Sequence, residues 1–176
     1  MHYAEMFHAL QPGFFDKPYI RSLPEEHVFD EQIIDLHTWQ EGEPVESPAH
    51  ITFGFYKGDI EMLQAAVREV DEDWVQWFGK GDRVFCAFDG DMAISFCLLD
   101  EFGTYEGLRV GAPGCVGTVP AYRKQGIGLR MIQLATAILR DEGYDLSWIH
   151  YTAVGHWYAR LGYRTVVRWN CKGIVE

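Results

Sequence analysis

Long apolar runs are missing: no stretch approaches the ~20 consecutive apolar residues that a membrane-spanning helix needs. The N-terminus, MHYAEMFHAL, has no basic segment followed by an apolar one, so it does not read as a secretory signal. Cysteine is scarce, four in 176 residues. Cys86, Cys97, Cys115 and Cys171 are widely spaced, contain no CxxC pair and sit in apolar strand-like runs. That excludes a disulfide scaffold and predicts buried, reduced thiols. These absences together predict a soluble, cytoplasmic chain. The seven histidines form neither HExxH nor a Cys/His cluster, so no metal is expected. Basic residues are also few. Fifteen Lys and Arg face 26 Asp and Glu, giving a formal net charge of -11 and a pI near 5.0. This balance argues against nucleic acid as a partner. It suits a cationic small molecule, and it serves solubility equally well.

What is present fits one globular domain with a real core: 48% of residues are hydrophobic and 15% aromatic. Residues 1–49 are broken by Pro12, Pro18, Pro24, Pro44 and Pro48, and within them Val28 to Leu36 is continuous enough for a strand or a short helix. Three roles stay open for this extension: a packed structural element, a contact with a second copy of the chain, or a wall of a pocket. From His50 the pattern is clearer. Ile51, Phe53 and Phe55 alternate as a strand does, and Asp59 can cap a helix carrying Ile60, Leu63, Val67 and Val70 on one side. Trp74, Trp77 and Phe78 lie beside Glu69, Asp71, Glu72 and Asp73. Such a run can receive a cation, but it reads better as core aromatics beside solvated acids.

Asp89-Gly90 joins two β-rich runs, Arg83 to Phe88 and Met92 to Leu99, as a hairpin. Asp100 to Pro113, rich in glycine, is expected as a loop or ragged hairpin before a strand at Cys115 to Val119. Leu146 to Tyr151 reads as a further strand, with Trp148 and His150 on one face and Ser147, Ile149 and Tyr151 on the other. Thr152 can cap a short helix in which Val154, Trp157, Tyr158 and Leu161 share a side. Gly162 ends it, and Tyr163 to Cys171 forms the last strand.

The stretch GCVGTVPAYRKQGIGLRMIQLATAILRDEG, Gly114 to Gly143, organises the chain. It reads as strand, proline turn, basic glycine-bearing loop and long helix. Ile127, Met131, Leu134, Ala135 and Ile138 form the apolar face of the helix, with Arg130, Gln133 and Arg140 opposite, and Gly143 stops it. Gly126 and Gly128 remove side chains where backbone N–H groups lack partners. That end suits an anion, helped by the helix dipole and by Arg123 and Lys124. Neither GxxxxGK followed by Ser or Thr nor an early-strand GxGxxG is present, so nucleoside-triphosphate and dinucleotide loops are excluded.

Arg123-x-x-Gly126-x-Gly128 after Val116-Gly-Thr-Val-Pro120, with WYARLGYRTV near the end, resembles the GNAT superfamily of N-acetyltransferases over about residues 50–172. The resemblance implies an α/β fold: a mixed central sheet of about six to seven strands flanked by helices, its fourth and fifth strands splayed. It divides the chain into an extension, 1–49, and an acetyltransferase domain, 50–176. It implies acetyl-CoA as donor and a small-molecule or peptide amine as acceptor; a homodimer through residues 1–49 is one of the roles left open for that segment, outside the resemblance. It places the cofactor on Val116, Gly117, Thr118, Arg123, Lys124, Gln125, Gly126, Ile127, Gly128 and Leu129. The Val116 N–H would polarise the thioester carbonyl, and the Tyr158 hydroxyl would protonate the departing thiolate. Tyr151 stands where many relatives have asparagine, and Ala112 where some have a glutamate base. Glu106, Glu101, Asp100, His150 and His156 remain the base candidates, with water as a relay. Cys115 has no fixed His or Lys neighbour, so direct transfer is expected rather than a covalent acyl-enzyme. A longer acyl-CoA donor, or a non-catalytic acyl-CoA-binding module, are the alternatives.

Overall fold

The turn chemistry at Asp89-Gly90 holds. In the computed structural model, which describes residues 2–175, β3 (Val84–Asp89) and β4 (Met92–Tyr105) pair antiparallel from Val84↔Leu98 to Asp89↔Met92. Gly90 takes the left-handed conformation, φ 58, that the turn requires. β2 (Ile51–Phe55) pairs with β3 from Ile51↔Asp89 to Phe55↔Phe85. β4 then runs past the expected end of the hairpin and reverses at Glu106-Gly107, φ 48 and 83, into β5 (Leu108–Thr118). Of the two readings open for residues 100–113, a loop or a ragged hairpin, the structure takes the hairpin: strand arms around a two-residue turn. Their glycines and acids lower strand propensity, and pairing with neighbours overrides it.

Eight strands form one mixed sheet in the order β2-β3-β4-β5-β6-β1-β7-β8. The remaining members are β1 (Phe29–Asp35), β6 (Leu146–Thr152), β7 (Arg164–Asn170) and β8 (Gly173–Ile174). β5 and β6, the fourth and fifth strands of the family pattern, run parallel at Val110↔Leu146 and Gly111↔Ser147. Helix α4 (Ile127–Asp141) connects them, and Gly143 at φ 79 follows its end. β1 resolves the ambiguity at residues 28–36 in favour of a strand. It is interior, antiparallel to β6 on one side and to β7 on the other, so the first 49 residues supply part of the sheet.

Backbone proximity divides the chain into two compact units. The first comprises Met1–Trp39, Glu101–Ala112 and Glu142–Glu176. There Met6 and Phe7 of α1 (Tyr3–Leu10), Phe14 of the turn after it and Ile20 of α2 (Pro18–Arg21) pack with Trp148 and Trp169 in one apolar cluster. α5 (Gly155–Ala159) belongs to this unit and is seated on β1. Gln32 Nε2 donates to the Gly155 carbonyl at 3.1 Å, and a side chain on Gly155 would meet Asp30 Oδ2 at 2.4 Å. The second unit comprises Gln40–Asp100 and Pro113–Asp141. Its helix α3 (Ile60–Val70) is capped by Asp59, whose Oδ1 accepts from the Glu61 N–H at 2.8 Å. Leu63 and Val67 pack with Phe78, Val84 and Phe96, while Ile127 of α4 joins Ile51, Ala87 and Ile94. Phe78 and Trp74 are thus core, as preferred, whereas Trp77 is 57% exposed. Among the described residues no helix is long and apolar enough to cross a membrane.

Candidate active site

The end of β5 and the loop after it lie together in the second unit. Within β5, Cys115 takes φ 46, a conformation that non-glycine residues rarely adopt. It falls one residue before Val116. Beyond it the strand end is pinned. Ser95 Oγ donates to the Gly117 carbonyl at 2.8 Å and lies 2.9 Å from Thr118 Oγ1, and the Val119 N–H donates to the Ile94 carbonyl at 2.9 Å. Gly117 is explained by packing, because a side chain there would come within 2.6 Å of Phe96 Cζ. Burial, reinforced by Asp71, pushes the Cys115 thiol up to about 11, which keeps it protonated at neutral pH.

After the Pro120–Tyr122 turn, Arg123 Nε donates back to the Thr118 carbonyl at 2.9 Å. Tyr122 Oη donates to Asp89 Oδ2 at 2.8 Å. Lys124 (φ 62) and Gly126 (φ 77) are left-handed and turn the chain into α4. The first α-helical bond runs from the Arg130 N–H to the Gly126 carbonyl, 2.9 Å. The N–H groups of Ile127, Gly128 and Leu129 therefore precede the helical ladder and are available to an acceptor. Ile127 and Leu129 are buried and Gly128 has no side chain, so these three positions offer a ligand backbone, while Arg123, Lys124 and Gln125 before them are exposed.

Tyr158 belongs to the first unit. It is 6% exposed on α5, its ring 4.8 Å from Trp157 and 5.9 Å from Tyr163. Tyr163 in turn shares a 2.6 Å hydrogen bond with Ser147 Oγ. Of the base candidates, Glu106 occupies the β4–β5 turn, Glu101 accepts from Thr104 Oγ1 at 3.3 Å, and His156 is exposed. Burial and repulsion by Asp82 raise the Asp100 carboxyl, against the pull of Arg83. Ala112, where some relatives carry glutamate, packs against the α1 cluster.

His150 has a partner that sequence reasoning did not single out. Glu31 of β1 is fully buried, at 0% exposure, and its carboxylate receives Trp148 Nε1 (2.6 Å), Trp169 Nε1 (2.7 Å) and the Tyr151 N–H (3.1 Å). His150 Nδ1 lies 2.9 Å from both oxygens. The carboxylate fixes Nδ1 as the donor nitrogen and leaves Nε2 as the acceptor. Trp148 and His150 share a face as expected. Tyr151 does not take the opposite one: at φ 57 it breaks the alternation, and its ring lies 4.8 Å from Trp169 and 4.6 Å from Phe29. The available signal was a lone acid inside an apolar run, Phe29 to Ile34, and it does not say what the acid would meet.

Gln133 is the second such residue. Expected on the water-facing side of α4, it is buried, while Leu134 and Ile138, expected on the apolar face, are partly exposed. Residues 41–45 lie along the Gln133 side and account for the difference. Among the described residues no three His, Cys, Asp or Glu side chains converge as metal ligands.

Residues 80–165 match the acetyltransferase (GNAT) domain family. No curated protein matches the chain. Solved structures with a similar fold include the GCN5-related glucosamine N-acetyltransferase region of a fungal multi-domain GH3 β-N-acetylglucosaminidase, with TM-score 0.67 and 19% identity over 82% of this chain and 20% of that one. The GCN5-related N-acetyltransferase from Sphaerobacter thermophilus gives 0.61 and 19%, over 81% and 50%. That from Kribbella flavida gives 0.56 and 19%, over 80% and 55%. The chain thus spans between a fifth and about half of the length of these structures. Residues 80–165 thus match the GNAT acetyltransferase domain, and the mixed eight-stranded sheet shares the fold of these GCN5-related structures.

Proposed function

We propose that the protein transfers an acetyl group from acetyl-CoA directly to an amine. The observation that carries this reading is the left-handed turn at Lys124 and Gly126, which delivers the chain into α4 with unpaired N–H groups at its start. Successive N–H groups in such a turn, at the positive end of a helix dipole, favour the pyrophosphate of a coenzyme A. In this reading Val116, Gly117 and Thr118 meet the pantetheine arm and thioester through their main chain. Arg123, Lys124, Gln125, Gly126, Ile127, Gly128 and Leu129 meet the pyrophosphate. The amine nitrogen attacks the thioester carbon, and the Val116 N–H stabilises the oxyanion, a type of contact that contributes roughly 3 kcal/mol to a barrier. The C–S bond then breaks, and Tyr158 gives its proton to the thiolate. For the proton lost by the amine, His150, Glu106, Glu101, Asp100, His156 and a water relay remain the candidates. The net acidity of the chain supports a cationic small molecule or a peptide amine as acceptor. The four unpaired cysteines fit a cytoplasmic setting. Longer acyl-CoA donors differ from acetyl-CoA at the thioester end alone and would use the same loop.

Calorimetric titration with acetyl-CoA, with pantetheine as the control without pyrophosphate, tests the donor. Binding that depends on the pyrophosphate supports the reading, and no binding by the folded protein overturns it. Tyr158→Phe tests the chemistry. Turnover is expected to fall while CoA affinity is kept, and unchanged turnover would remove Tyr158 from its role.

A further inference from the structure

The polar side of an amphipathic helix ordinarily faces water. Gln133 is on that side of α4, yet it is 2% exposed and its amide is fully engaged. Oε1 accepts from the Val45 N–H at 2.9 Å and from Arg130 Nη1 at 2.8 Å. Nε2 donates to the Glu41 carbonyl at 2.8 Å and to the Glu43 carbonyl at 2.9 Å. A primary amide has two donor hydrogens and two acceptor lone pairs, and here all four are used. One side chain therefore holds residues 41–45 against the helix much as a neighbouring strand would. Arg130 Nη1, 3.5 Å from Glu41 Oε1, adds a charged contact to the same strap.

The strap reaches the anion loop. A side chain on Gly126 would sit 2.1 Å from the Glu46 carbonyl oxygen and 3.6 Å from Val45 Cγ1. The space that glycine leaves at 126 is thus filled by the strap backbone. This bears on how the loop is shaped. Glycine populates positive and negative φ about equally, and a change of sign re-aims the peptide N–H groups on either side. A free Gly126 would scatter the donors that the loop needs to converge.

We propose that Gln133 is a positioning residue for the anion loop. By clamping residues 41–46 along α4 it seats the Glu46 carbonyl against Gly126 and selects the left-handed conformer, φ 77, in which the N–H groups point together. The proposal rests on the reading of this loop as the pyrophosphate site. It assigns Gln133 no contact with the ligand and no part in the transfer step.

Gln133→Met preserves side-chain length and removes all four hydrogen bonds. Three quantities are measured on the full chain: hydrogen exchange at the Val45 amide, calorimetric affinity for CoA, and affinity for pantetheine. Exchange at Val45 is expected to rise more than about tenfold, one decade of opening equilibrium. CoA affinity should fall about three- to tenfold, by the fraction of loop conformers left competent. Pantetheine affinity should not change, which a general loss of structure would not reproduce. If exchange rises and CoA binds as tightly as before, the strap does not shape the loop and the proposal fails. If the parent protein itself does not bind CoA, the pyrophosphate reading fails first, and the proposal with it. Val45→Pro, which deletes the N–H from the strap side without touching the helix, provides the comparison of CoA with pantetheine affinity where Gln133→Met does not fold.

Discussion

Glu31→Gln keeps the size of the side chain and removes its charge, and the contacts of Glu31 set the expected loss. Oε2 accepts from Trp148 Nε1, and Oε1 from Trp169 Nε1 and the Tyr151 N–H, with His150 Nδ1 within reach of both. Glutamine must place an NH2 group where one of these oxygens stands. If it replaces Oε2, the Trp148 indole N–H loses its acceptor; if it replaces Oε1, both Trp169 and the Tyr151 amide do. One orphaned buried N–H costs about 1–3 kcal/mol, and each remaining contact that falls from charge-assisted to neutral strength loses about 1 kcal/mol more. For the Oε2 placement, with the Trp169 and Tyr151 contacts weakened, the sum is roughly 3–5 kcal/mol, the size expected when a buried charged group loses its match. Against a total stability of about 5–15 kcal/mol this is large. At about 2–4 °C per kcal/mol for a chain of this length, the thermal midpoint should drop by about 6–20 °C. Urea unfolding followed by tryptophan fluorescence measures it directly, since two of the indoles bind the carboxylate. A loss below about 1 kcal/mol at unchanged m-value would refute the reasoning, because the hydrogen bonds would then barely exceed the desolvation of the carboxylate.

Two further measurements test local electrostatics. The Arg109 N–H at 2.7 Å, and then the His37 ring at 2.6 Å, hold the Asp145 carboxyl below its usual range. Its contribution to stability is complete above the unfolded-chain value near ~3.9 and disappears as pH falls through the lowered native value. Asp145→Asn is therefore expected to flatten the stability curve below about pH 4. An acid limb as steep as the parent's would contradict that. For Cys115, with its thiol raised to about 11, alkylation by iodoacetamide at pH 7.5 should run roughly a hundredfold slower than for a free thiol. Mass spectrometry of a labelling time course reads this, and labelling at the free-thiol rate would mean the site is neither buried nor near Asp71.

Much of the fold is legible along the chain because its signals are local. Asp89-Gly90 states its own turn, Asp59 its own cap, and Gly143 its own stop. The sheet was harder at its margins. Residues 100–113 left a loop and a ragged hairpin both open because glycine and acid lower strand propensity, and they form the hairpin, as the far arms of β4 and β5. Residues 28–36 gave no choice between strand and helix until β6 and β7 were there to pair with them. Tyr151 looked like the next residue in an alternating strand, and one left-handed φ moved its ring to the other face.

For the candidate site, the sequence by itself determined where the loop lies, because Arg123-x-x-Gly126-x-Gly128 between a strand and a long helix is a pattern of consecutive residues. Tertiary structure alone decided which polar side chains carry weight. Helical periodicity puts Gln133 in water, and a segment more than eighty residues earlier in the chain covers it. Strand alternation offers Glu31 two faces, and the two indoles that meet it come from Trp148 and Trp169, more than a hundred residues later. A buried polar group is stable only with its partners in place, and those partners are chosen by packing across the fold rather than by spacing along the chain.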